Sequence, residues 1–116
     1  AEDRERKRKT LELASGDVDG VDPDRVQRAK EQAEALDNTS RSQKDAIVQS
    51  MAKRLTIVQG PPGTGKTHTS VRIVTMWVKT MGYKPLLVTS ECNIAVDNIA
   101  EGLVRNGVNV VRVGRP

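Results

Sequence analysis

Phenylalanine is absent from the 116 residues, and the aromatic content stops at Trp77 and Tyr83. A core built from this chain is therefore aliphatic, drawn from Val, Ile, Leu, Met and Ala. Cysteine is nearly absent too. Cys92 stands alone, which excludes an intramolecular disulfide and the stapled secreted scaffolds that depend on one. With the single His68 it cannot supply the four ligands of a zinc finger. No run reaches the roughly 20 apolar residues of a membrane-spanning helix. No apolar stretch near the start reads as a signal peptide. The expectation is an intracellular, soluble protein, cytoplasmic or nuclear.

What is present is charge. Charged residues make up 29% of the chain and hydrophobic ones 36%, with a net charge of +4. Residues 1–34 hold 8 Lys/Arg against 10 Asp/Glu, and residues 35–116 hold 11 against 5. The first segment has few large aliphatics to offset its chain entropy, so 1–34 reads as a charged, partly helical or disordered leader. The remainder, 35–116, has the aliphatic content of one small folded domain and a basic excess that suits anionic partners.

Along the chain, Ser15–Gly20 reads as a linker. Asp22-Pro23 is a helix-start signal, and 24–35 carries a narrow apolar stripe of Val26, Ala29 and Ala33. Ser40 and Gln43 fit a capping box ahead of a helix bearing Ala46, Ile47, Ser50 and Met51. Leu55–Gln59 is a β-branched run and a predicted strand. A helix is expected from about Gly65 to Met81, with Val71, Val74, Trp77, Val78 and Met81 on one face. Leu86–Thr89 and Val108–Val113 read as further strands around a helix at Ile94–Arg105. The β-α-β-α-β order, without hairpin signals, predicts an α/β fold: a parallel sheet with flanking helices.

Between the first strand and the helix after it lies Gly60-Pro-Pro-Gly-Thr-Gly-Lys-Thr67, a full match to G-x-x-x-x-G-K-[ST]. A nucleoside triphosphate crowds several negative charges into a few ångströms. Backbone N–H groups can surround it where no Cβ blocks the approach, which Gly60, Gly63 and Gly65 allow. Pro61 and Pro62 stiffen the turn, and Thr64 completes it. The helix start directs its unpaired amides and positive dipole end at the phosphates. Lys66 adds a charge aimed at the β- and γ-phosphates, and Thr67 offers a hydroxyl to Mg²⁺. The cofactors expected are thus ATP and Mg²⁺. His68 closes the candidate set, its plain reading being an incidental histidine on a helix surface.

The neighbours of the loop narrow the family. Ser42-Gln43 precedes it, Asn93-Ile-Ala-Val-Asp97 comes after the second predicted strand, and Val110-Val-Arg-Val-Gly-Arg-Pro116 comes later. Together these resemble superfamily-1 helicases of the branch that includes the nonsense-mediated-decay RNA helicase and senataxin, over about residues 36–116. The resemblance implies a P-loop NTPase of RecA-like fold, present as its incomplete N-terminal portion. It implies adenine recognition by Gln43, and contact of Ser90, Cys92 and Asn93 with the nucleic-acid backbone. The partner implied is single-stranded RNA or DNA, translocated along 5′ to 3′. Cys92 stands where the family usually has Ser, and Glu91 where Pro is common.

Each residue also has a plain reading. Gln43 is the capping partner of Ser40, Asn93 is a helix cap, and Cys92 is a small half-buried residue without a nearby His to activate it. Trp77 is core, and Arg105, Arg112 and Arg115 are solvated surface. A motor also needs a carboxylate pair for Mg²⁺ and an arginine for transition-state charge. No Asp-Glu pair follows an apolar strand between 86 and 116. The expectation is therefore an ATP-dependent helicase as parent protein and a segment that is inactive alone. An AAA+ ATPase that remodels proteins, or a non-hydrolysing nucleotide- or nucleic-acid-binding module, stays open beside it.

Overall fold

A computed structural model describes residues 4–6, 20–59 and 66–114. The chain divides into two compact units, Ala1–Gln59 and Gly60–Pro116. Residues 1–3 and 7–19 of the leader and residues 60–65 lie outside the described residues.

In the first unit, Asp22 caps helix α1 (Pro23–Glu34), its carboxylate accepting from the Asp24 N–H at 2.9 Å, with proline in the first turn. Helix α2 (Arg41–Ser50) opens on the expected capping box. The Gln43 N–H donates to Ser40 Oγ at 3.2 Å, and the Ser40 N–H donates to Gln43 Oε1 at 2.9 Å. The apolar stripe of α1 has its partner in α2, which packs against it. Ala29, Ala33, Ile47 and Met51 are all buried. Arg41 ties the helix ends together, donating Nη1 to Glu34 Oε2 at 2.8 Å and Nε to Asp45 Oδ1 at 3.1 Å. Its hydrogen bond holds the Glu34 carboxyl below the usual carboxylate range. Lys44 Nζ completes the join by donating to the Glu34 carbonyl at 2.9 Å.

In the second unit, helix α3 (Lys66–Lys79) packs against helix α4 (Asn93–Arg105). Val71, Val74, Leu103 and Val108 form the centre, with Trp77, Val78, Val88, Ile99 and Val110 around it. Helix α3 buries a wider face than its stripe predicts, since Thr69, Ile73 and Met76 are buried as well. Helix α4 ends at Gly107, whose φ of +77° only glycine adopts freely. There the Val108 N–H reaches the Leu103 carbonyl at 3.0 Å, and the Gly107 N–H reaches the Val104 carbonyl at 3.0 Å.

The three expected strands are not formed as strands. Among the described residues, 55–59, 86–89 and 108–113 lack a hydrogen-bonded ladder, and Lys53 makes an isolated bridge. Alternation survives without the ladder. Val88, Val108 and Val110 turn toward the helices, while Leu87, Val111 and Val113 are 89%, 87% and 84% exposed. Parallel pairing is stable where both faces of a sheet are covered. Here α3 and α4 cover one face of 86–89 and 108–113, and the outward side chains of these two segments meet solvent. Among the described residues the helical layer of the expected α/β arrangement is present and the sheet is not.

Candidate functional site

The glycine-rich segment, Gly60, Pro61, Pro62, Gly63, Thr64 and Gly65, lies outside the described residues. The helix directly after the segment is described. Lys66 and Thr67 are the first two residues of α3, and both are exposed. The first N–H groups of any helix lack intrahelical acceptors and carry the positive end of its dipole. No acidic residue stands in the first turn of α3 to oppose an anion there. An ammonium, a hydroxyl and the free amides of a helix start thus share one end of α3. That donor set fits the tail of a nucleoside triphosphate.

For Mg²⁺ the same end offers the Thr67 hydroxyl, a hard oxygen ligand of the kind magnesium takes alongside phosphate oxygens and waters. Among the described residues no group of three or more His, Cys, Asp or Glu side chains gathers into a metal site. His68 is half-buried, not on the open surface as expected. Its Nε2 is buried and lacks a hydrogen-bond partner among the described residues. The turn of the helix carries it inward, one position before buried Thr69.

Gln43 sits in the first turn of α2, with its side chain engaged in the capping box. Ser90, Cys92 and Asn93 are exposed at the entry to α4. Two expectations are corrected there. Cys92, not Asn93, occupies the cap position, and it makes no side-chain cap hydrogen bond. Ser90 Oγ accepts the Cys92 N–H at 3.3 Å, a local turn that starts the helix with Asn93 already inside it. Cys92 is also exposed, not half-buried. No acidic residue stands in the first turn of α4 either.

Trp77 packs against the core cluster as expected. The arginines read as solvated surface are paired: Arg105 with Glu101, and Arg112 with Asp97 at 2.6 Å. Arg115 lies outside the described residues. Sequence reasoning misses the Arg112–Asp97 pair, although one signal for it exists. Val108, Val110 and Arg112 share a period of two, which points the arginine toward the helix layer. A 330 Å³ cleft in the first unit is lined by Lys30, Glu34, Arg41, Asp45, Val48 and Gln49. It contains none of the expected site residues, and the Arg41 clamp with Glu34 and Asp45 forms part of its wall.

A family model described as an AAA domain matches residues 30–116. Among curated proteins, the chain is 47% identical over 76 residues to the DNA polymerase alpha-associated DNA helicase A of Schizosaccharomyces pombe, covering 65% of this chain and 11% of that protein. It is 43% identical over 83 residues to the ATP-dependent helicase upf1 of the same yeast, covering 67% and 9%. To the Regulator of nonsense transcripts 1 of Caenorhabditis elegans it is 46% identical over 79 residues, covering 67% and 7%. The chain therefore spans about a tenth of the length of these relatives. No solved structure matches at comparable significance. Among the described residues no helix is long and apolar enough to cross a membrane.

Proposed function

Because the chain belongs to the AAA-domain family, in its superfamily-1 helicase branch, we propose that it is the ATP-binding segment of an ATP-dependent helicase acting on single-stranded RNA or DNA. The observation that carries this reading is the acid-free first turn of α3, where exposed Lys66 and Thr67 stand immediately after the Gly60–Gly65 segment. The family implies a RecA-like α/β fold, and we read the chain as the N-terminal part of such a motor domain.

In this reading, the amides of Gly60, Gly63 and Gly65 surround the phosphate tail, and Pro61, Pro62 and Thr64 hold the turn's shape. Lys66 neutralises the β- and γ-phosphates. Thr67 holds Mg²⁺, which supplies further charge neutralisation at the phosphates when bound. His68 borders the same helix start, and Gln43 reads the adenine edge. Ser90, Cys92 and Asn93 meet the phosphodiester backbone through the start of α4, whose dipole favours an anion. Relatives named as DNA helicase and as regulators of nonsense transcripts support a nucleic-acid substrate and leave RNA and DNA both open. Their helicase names favour this reading over a protein-remodelling AAA+ ATPase.

Calorimetric titration with Mg-ATP tests the nucleotide site. The parent chain should bind, and Lys66→Ala should weaken binding by tenfold to a hundredfold, because charge-assisted hydrogen bonds contribute about 1.5–3 kcal/mol each. Equal affinity in both chains overturns the assignment. Phosphate release by the 116 residues should stay at background, since no Asp-Glu pair follows an apolar segment after Leu86 to hold Mg²⁺ and orient water.

A further inference from the structure

The segment 108–113 turns alternate side chains toward α3 and α4: Val108 is buried, Val110 packs on the core, and Arg112 comes next in the same period. Arg112 is only 25% exposed along its side chain. A guanidinium drawn that far from water needs a charged or hydrogen-bonding partner. It has one in Asp97, whose Oδ1 accepts from Arg112 Nε at 2.6 Å. The pair joins α4 to a segment 15 positions further along the chain.

Asp97 lies four positions after Asn93, so the two occupy one face of α4, one turn apart. Glu101 and Arg105 continue that face, and Arg105 binds Glu101. Both carboxylates on the Asn93 face are thus matched by an arginine, and Arg112 reaches its partner from outside the helix. Without Arg112, Asp97 would add its charge to that of Glu91, which is exposed just before the helix start. Two negative charges would then flank the place proposed for a phosphodiester.

We infer that Arg112 is a positioning residue for nucleic-acid contact: it cancels the charge of Asp97 and fixes the N-terminal half of α4, on which Asn93 is carried. The inference rests on the reading of Ser90, Cys92 and Asn93 as backbone contacts. It differs from a direct role, in which the guanidinium itself would bind phosphate.

The test is fluorescence anisotropy of labelled oligo-U and oligo-dT with the full chain, alongside thermal unfolding followed by circular dichroism. Arg112→Gln should weaken oligonucleotide binding about tenfold, as like charge is brought against the backbone. Asp97→Asn combined with Arg112→Gln should recover most of the loss, since no carboxylate then remains to be cancelled. The double variant also keeps the test valid should Arg112→Gln alone unfold. A double variant as weak as Arg112→Gln means that the guanidinium touches phosphate, and overturns the positioning role. So does an Arg112→Gln variant that binds like its parent. A parent chain that binds neither oligonucleotide overturns the underlying reading of α4, and this inference with it.

Discussion

At Gly102 the side chain is a hydrogen atom, and α4 approaches α3 so closely that a Cβ there would stand 2.8 Å from Val71 Cγ2. Val71 is buried and β-branched, so it cannot swing aside freely. Gly102→Ala gains about 1 kcal/mol of helix propensity, yet forced overpacking costs about 1–3 kcal/mol. The clash wins. A net loss of about 1 kcal/mol is expected in chemical denaturation, given those opposing terms. In a Val71→Ala background both Cγ atoms are gone, and the same Gly102→Ala change should turn neutral or stabilising. If Gly102→Ala destabilises equally in both backgrounds, the close approach is not the cause. The reason for this glycine is not legible in the sequence. Its partner lies 31 positions earlier, on the other helix. The place of Lys66 and Thr67 at the start of α3 is legible because the helical period after them is a local signal. The Arg112–Asp97 pair is not, because a period of two gives a direction without naming what waits there.

Among the elements, the helices are written locally. Asp22-Pro23 starts α1, Ser40 with Gln43 starts α2, and Asn106-Gly107 closes α4. The strands are not, because a ladder belongs to the partner segment as much as to the strand itself. The apolar alternation of 108–113 is readable, and it does pack on the helices; nothing in it specifies a neighbour. The first turn of α2 serves two readings at once, since Gln43 both caps and is proposed to read adenine. These separate experimentally. Ser40→Ala removes the cap acceptor and should cost about 1 kcal/mol of stability, while leaving the preference for ATP over GTP unchanged. Gln43→Ala should reduce that preference about tenfold, the equivalent of one net hydrogen bond. Should the two variants shift the preference equally in competition titrations, Gln43 acts through the cap alone.

For the whole molecule, charge sets the scale of any nucleic-acid affinity. Residues 35–116 hold 11 Lys/Arg against 5 Asp/Glu, a surplus that by count suggests a polycation spread along a strand. At least three of these cations are held by carboxylates. Arg41 is shared by Glu34 and Asp45, Arg105 is held by Glu101, and Arg112 by Asp97. Lys66 is proposed to bind ATP. If binding is confined to the start of α4, two or three phosphates are held there, and few counterions are released. The logarithm of oligonucleotide affinity should then fall against the logarithm of salt with a slope between about −1.4 and −2.1, from roughly −0.7 per phosphate on a single strand. Anisotropy titrations from low to physiological salt measure it. A slope near zero would mean that no phosphate is contacted. A slope steeper than about −4 would mean more than five contacts, spreading the interaction over the basic surface and removing the special place given to Ser90, Cys92 and Asn93.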